Sequence, residues 1–299
     1  MSTISVVITT YNRAQFLERA IQSAFQAGSD PEVVVVDDCS TDETPEFCAK
    51  LASICYIRLS ANQGLANARN VGIAESSSEF ITFLDDDDLR LPGSLDKQLE
   101  MMAADERIAL CYGQALIGDA HRQLPTGEIY PSECPQGDIF WELLENNFIP
   151  MPSVLARKKS LLSVGGFNTA LPLIEDWDMW LRIGERFSVV AVEEPVAIYR
   201  KANIDSEQMC SNSIALCKQA LRVQQMALAG KRGQASPRAR RRHVRTKLRN
   251  RSYEILMAEA TRLIHDGDTK SARARLFDAF QYRPVRAVAS GCFPWLLIK

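Results

Sequence analysis

Apolar and polar positions over residues 1–90 fall into two alternating kinds of block. Residues 4–8, 32–36, 54–59 and 80–84 are short apolar runs rich in β-branched and aromatic side chains, and they predict buried strands. Between the first two, residues 14–27 place Phe16, Leu17, Ala20, Ile21, Ala24 and Phe25 at helical spacing before Gly28 to Pro31 break the pattern. Residues 40–44 (Ser-Thr-Asp-Glu-Thr) can cap a second helix, and residues 65–75 read as a third. Strand and helix alternate throughout, which predicts an α/β domain built on a mostly parallel central sheet with right-handed crossovers.

Later residues give a less regular pattern. It predicts helices over 95–104, 140–144 and 158–164, and strands over 108–116 and 154–157. Residues 118–137, with Pro125, Pro131 and Pro135, read as an irregular loop. Glu175, Asp176, Trp177 and Asp178 open an amphipathic helix reaching 187, followed by short strands over 189–192 and 195–199. Helices are expected over 213–229, 252–265 and 269–281, the last two an antiparallel pair around Gly267.

Charge divides the chain more sharply than hydropathy does. The net charge is -2, yet residues 1–230 carry 18 Lys/Arg against 32 Asp/Glu and residues 231–299 carry 17 against 5. Residues 231–251 hold ten Lys/Arg and no acid. Such a run lacks interleaved aromatics and any nucleic-acid module, so nucleic acid is not the expected partner. Attraction to an anionic membrane surface is one reading, with residues 285–299 dipping into the interface; a solvated helix face beside a packed C-terminal anchor is the other. The eight cysteines form no Cys-x-x-Cys pair and there are three histidines, so neither a zinc site nor a disulfide framework is expected. No basic leader with an apolar core and no 18-residue apolar run occurs, and the expected location is the cytoplasm, peripheral on the inner face of the membrane under the first of those two readings.

The candidate chemistry sits at strand ends. The run Phe80 to Leu84 leads straight into Asp85, Asp86, Asp87 and Asp88. Two carboxylates about 4 Å apart repel by about 1 kcal/mol in water and about 4 kcal/mol at the effective dielectric of a protein surface, so a bound cation is one physical reason for such a cluster. Hard oxygen donors suit Mg²⁺ or Mn²⁺. Thr9 to Arg13 and Asp37-Asp38 also follow strands, and in open parallel sheets these ends converge on one ligand crevice. No glycine-rich dinucleotide fingerprint or phosphate loop is present.

The ordered blocks Val6-Val7-Ile8-Thr9-Thr10-Tyr11-Asn12-Arg13, Val35-Val36-Asp37-Asp38, Asn62-Gln63-Gly64 with Ala68-Arg69-Asn70, and Phe83-Leu84-Asp85-Asp86-Asp87-Asp88 resemble family-2 glycosyltransferases of the GT-A fold. Gly165-Gly166-Phe167 followed by Glu175-Asp176-Trp177-Asp178 extends the resemblance over about residues 1–205. It implies a catalytic domain over 1–205, with a nucleotide-sugar half of about 1–90 and an acceptor half of about 91–205, and a basic helical extension over 206–299. It implies that Thr9, Tyr11, Arg13, Asp38, Arg69, Asp85 and Asp86 bind a nucleotide-sugar, and that Asp87 holds Mn²⁺ or Mg²⁺. Asp86 and Asp88 are the aspartates expected to tolerate replacement better. Asp176 is implied as the general base, with Glu175 and Trp177 on the acceptor side. Relatives of this kind often carry a metal-binding histidine after Tyr-Arg-x, whereas this chain has Ala202 there.

The reaction implied is metal-assisted, inverting transfer of a sugar, expected from a UDP-sugar, to a hydroxyl of a saccharide or lipid-linked acceptor. A nucleotidyltransferase lacks support without a glycine-rich phosphate loop. A non-catalytic nucleotide-sugar or lipid-surface module remains the alternative from another class.

Overall fold

The structure, a computed structural model, describes residues 3–119, 124–200 and 213–283. Ala202 and residues 285–299, both singled out in the sequence, lie outside the described residues. The chain divides into two compact units, one made of residues 1–143 and 147–206 and the other of residues 144–146 and 207–299.

The first unit opens with β1 (Ile4–Thr10), α1 (Ala14–Gln26), β2 (Glu32–Asp37), α2 (Thr44–Cys48), β3 (Cys55–Arg58), α3 (Leu65–Glu75) and β4 (Phe80–Asp85). These four strands pair in the order β3-β2-β1-β4, all parallel. Every residue of β1 is buried, which is why its side chains run apolar without alternation. The apolar row of α1, including Leu17, Ala20, Ile21 and Ala24, packs with Val6, Ile8, Val33 and Val35 in one core. On α3, a Cβ at Gly72 would stand 2.2 Å from Val7 Cγ1, so glycine is what lets that helix lie close to β1.

The second half of the sheet is mixed. It comprises β5 (Leu89–Arg90), α4 (Ser94–Ala103), β6 (Ile108–Gly118), β7 (Pro125–Tyr130), α5 (Phe140–Glu145), β8 (Leu155–Arg157), α6 (Lys158–Ser163), α7 (Glu175–Arg186) and β9 (Ser188–Arg200). β8 is antiparallel to both β4 and β6, and β9 runs parallel to β6 and antiparallel to β5. The architecture is thus the expected α/β one, with its purely parallel part confined to the first four strands.

Two local expectations are corrected. The segment read as an irregular loop contains β7, an exposed strand antiparallel to β6, with Pro125 at its first position where a missing N–H does least harm. The two short strands near the end of the unit are one strand, β9, whose pairing with β6 shifts register near Gly113 to Ala115, where Gln114 faces Pro195. The irregularity absorbs Pro195, which has no N–H to give the ladder.

The second unit contains α8 (Ser213–Ala229), α9 (Lys231–Ala235), α10 (Arg238–His265) and α11 (Thr269–Tyr282). Cys217, Tyr253, Leu256, Ala279 and Tyr282 form its apolar cluster. The helix expected over 252–265 is the second half of α10, which begins fourteen residues earlier within the arginine-rich run. Arginine is a good helix former, so that run extends the helix rather than interrupting it.

Candidate active site

Register brings the strand-end groups together. Thr9 pairs with Asp85 across β1 and β4, and Thr10 pairs with Asp37 across β1 and β2. The two residues of the Asp37-Asp38 pair then diverge. Asp37 is fully buried; it accepts from Ser40 N at 2.7 Å and from the Tyr56 hydroxyl at 2.7 Å, fixing the turn. Asp38 accepts from Gln63 N at 2.7 Å and Gly64 N at 2.8 Å, so it clamps the turn that starts α3. Tyr11 is 45% exposed, and the Thr9 hydroxyl stands 3.5 Å from Asp85 Oδ1.

Arg69 ties the two halves of the unit together. It is buried on α3, donates from Nη2 to Asp85 Oδ1 at 2.6 Å, and pairs through Nη1 with Glu175 at the start of α7. Burial alone would lower its pKa, but Asp85 and Glu175 outweigh that and hold it above the usual arginine value. Phe167 lies beneath the guanidinium, 5.6 Å from ring centroid to Cζ. Phe167 is set by Asn70, which exchanges two hydrogen bonds with its backbone at 2.7 and 2.9 Å. Gly166 precedes it at φ +70°, and a Cβ there would stand 2.6 Å from Asn70 Oδ1. The Gly-Gly-Phe block therefore anchors the chain to α3 in a geometry that only glycine fits.

Three carboxylates, Glu175, Asp176 and Asp178, occupy the first turn of α7, where the helix dipole favours negative charge. The residue before them, Ile174, holds φ +54°, an uncommon conformation for a β-branched side chain and a strained entry into the helix. Asp178 is taken up by an ion pair with Arg182 at 2.6 Å. Asp176 keeps partial exposure and accepts from Asn147 Nδ2 at 3.0 Å and from Trp177 N. Burial pushes the carboxyls of Asp176 and Glu175 up, and Arg69 opposes both shifts. Trp177 is 4% exposed and its indole N–H donates to Leu143 O at 2.7 Å, so its ring packs in the core rather than standing open to an acceptor.

Asp87, the expected metal ligand, is engaged by arginines. Arg13 Nη1 donates to Asp87 Oδ2 at 2.7 Å, and Arg200 reaches the same oxygen through Nε at 3.1 Å and through Nη2. Arg200 is itself built in. It is 7% exposed, it lies over the Phe16 ring at 4.7 Å, and its backbone N–H donates to Asp88 Oδ1 at 2.8 Å. With two guanidinium charges on one carboxylate oxygen, this arrangement does not fit a divalent cation there. Among the described residues no group of three or more His, Cys, Asp or Glu is gathered for a metal ion. Asp86 sits 3.4 Å from Arg13, with burial and Asp87 pushing its carboxyl up to about 7. Asp88 is buried with Oδ2 unpartnered, and burial and Asp87 push its carboxyl well up. As the acceptor for the Arg200 amide it ties the turn after β4 to β9.

Thus Thr9, Asp85, Arg69 and Glu175 form one chain of contacts, with Asp176 next to Glu175 in the first turn of α7, and Arg13, Asp86, Asp87 and Arg200 form another beside it. Asn147 and Arg200 went unnoticed among the sequence candidates. Arg200 carried a signal, since it follows Tyr199 in the block whose third position drew attention to Ala202. Asn147 carried none.

Residues 5–164 match the sequence profile of Glycosyl transferase family 2, and the chain belongs to that family. A succinoglycan biosynthesis protein, ExoO, of Rhizobium meliloti is 40% identical over 201 residues, covering 63% of this chain and 54% of its own. An uncharacterized glycosyltransferase of Haemophilus influenzae is 31% identical over 199 residues, 64% of this chain and 66% of its own. The match spans only 26% of a Rickettsia bellii relative, so the chain covers less than two thirds of these proteins' lengths. The fold is similar to S. aureus TarS 1–349 in complex with UDP-GlcNAc (TM-score 0.61, 19% identity, 96% of this chain and 83% of that one). It is equally similar to the mannosyltransferase PcManGT from Pyrobaculum calidifontis in complex with GDP-Man and Mn²⁺ (TM-score 0.61, 16% identity, 98% and 79%).

Proposed function

We propose that the chain is an inverting glycosyltransferase that takes a nucleoside-diphosphate sugar, with UDP as the nucleotide, and delivers the sugar to a hydroxyl of a saccharide or lipid-linked acceptor. The observation that carries this reading is the contact chain from Asp85 through Arg69 to Glu175, the sequence neighbour of Asp176 in the first turn of α7. It joins the strand-end crevice to a partly exposed carboxylate at a helix N-terminus. In this reading Thr9, Tyr11, Arg13, Asp38, Arg69 and Asp85 line the nucleotide side. The UDP-GlcNAc held by TarS supports the choice of donor class.

The step is a single displacement. Asp176 takes the proton of the acceptor hydroxyl as that oxygen bonds to the anomeric carbon. The bond from that carbon to the diphosphate breaks on the opposite face, and the diphosphate leaves with the electron pair. Arg13 and Arg200 are the cations beside Asp87, and in this reading they meet the charge that builds on the leaving group. Asn147 holds the Asp176 carboxylate through the hydrogen bond to Oδ2.

The test is Asp176→Asn, assayed by UDP release with a panel of UDP-sugars and acceptors. General-base catalysis contributes about 10²–10⁴-fold, so turnover should fall by at least about a hundredfold with UDP affinity within about threefold. Turnover close to that of the unaltered enzyme would remove Asp176 from the role of base.

A further inference from the structure

The helix α10 carries one side-chain row that changes character halfway along. Arg238, Arg242, Arg245 and Arg249 recur at three- and four-residue spacing, and the same row continues as Tyr253, Leu256 and Ala260. The last three are buried, Tyr253 and Leu256 in one cluster with Ala279 and Tyr282 of α11, whereas the four arginines are exposed. The change follows from length: α10 has 28 residues and α11 has 14, so the antiparallel partner covers only half the row. Arg241 flanks the row, and Arg238, Arg241, Arg242, Arg245 and Arg249 line an open concavity of about 710 Å³ with Thr246. Among the described residues none of these five arginines has a carboxylate partner, although Arg262 and Arg275 of the same unit are both paired.

Five guanidiniums along about 16 Å of helix call for an anionic partner. Residues 284–299 do not supply it, since they contain Arg286 and Lys299 and no acid. Guanidinium forks bind phosphate oxygens in pairs, and a straight exposed helix face meets a plane of phosphates better than a single small ligand. We propose that this arginine face of α10 docks on the surface of an anionic phospholipid bilayer. Each basic residue near such a surface raises partitioning about fivefold, an attraction that salt screens. The proposal is independent of the proposed catalytic reading and its test uses no activity.

The experiment is vesicle flotation of the full chain with phosphatidylcholine alone and with phosphatidylcholine containing 30% phosphatidylglycerol. Binding is expected only to the second and should be released by 0.5 M NaCl. Triple reversal of the face (Arg242→Glu, Arg245→Glu, Arg249→Glu) should weaken it by at least a hundredfold. The same charge change on the opposite side (Arg240→Glu, Lys247→Glu, Arg251→Glu) should weaken it by less than tenfold, which separates the face from net charge. Circular dichroism confirms that both variants stay helical; if the first does not, neutral Gln at the three positions replaces it with the same expectation. Equal loss in the two variants, or no preference for anionic vesicles, overturns the proposal. So does an RNA oligonucleotide binding more tightly than the vesicles.

Discussion

Asp176 shares its proton equilibrium with several neighbours, and Asn147 is the one that can be removed cleanly. A base acts when deprotonated, and burial raises the pKa of Asp176 in the folded chain. The acid limb of kcat/KM therefore lies above the ordinary carboxylate range near 4. The Asn147 N–H donates to the charged form and holds that pKa down, so Asn147→Ala should move the limb to higher pH while the alkaline plateau stays within severalfold. A limb that stays put, or moves down, would show that another group titrates. At Asp87 the competing readings differ over cations. If Arg13 and Arg200 supply the positive charge, calorimetry should give UDP affinities within about threefold in EDTA and in Mn²⁺. Arg200→Ala should then weaken binding in EDTA by tenfold, about 1.4 kcal/mol. Binding seen only with Mn²⁺ would return Asp87 to the metal. The four aspartates were legible as a cluster because they are adjacent in sequence. Their division of labour was not, because Arg200 lies 113 positions from Asp87 and nothing local records that contact.

At the level of elements, the chain announced β1, β2 and β4 because each is buried on both faces and so reads as an apolar run, whereas β3 has exposed ends and a half-buried middle. Their registers follow from the same burial, and they alone bring Thr9 beside Asp85. Legibility falls where packing is one-sided or absent. All six residues of β7 are exposed, so no apolar alternation marked it, and its pairing is carried by backbone hydrogen bonds that any sequence can make. The long α10 was legible only in its second half, where Leu256 and Ala260 show core spacing. Ahead of that, helix propensity without an apolar stripe left the arginine run ambiguous. At the start of α7, Glu-Asp-Trp-Asp was readable as a cap region, yet Ile174 in a left-handed conformation was not. Its strain is maintained by the surrounding packing, which is a tertiary property.

On the scale of the whole molecule, the chain forms two compact units and its charge changes sign between residues 1–230 and 231–299. Every side chain in the two contact groups around Asp85 and Asp87 belongs to the first unit, as does the apolar cluster that joins α1 to β1, β2 and β4. Residues 231–299 carry the cationic excess, and the second unit has its own cluster around Leu256 and Tyr282. If each unit closes its own core, the chain truncated after Ser206 retains what the first unit does and loses what the second does. It should bind UDP within about threefold of the full chain, a difference below about 0.7 kcal/mol. It should also unfold in one cooperative thermal transition, as single domains of this size usually do. Flotation with vesicles containing phosphatidylglycerol should disappear, because the remaining portion is acidic and repelled by an anionic surface. The two readouts fail in different ways. Loss of UDP binding with a folded circular dichroism spectrum would mean that residues beyond 206 help to build the donor site. Retained flotation would move the membrane contact out of α10 and into the first unit.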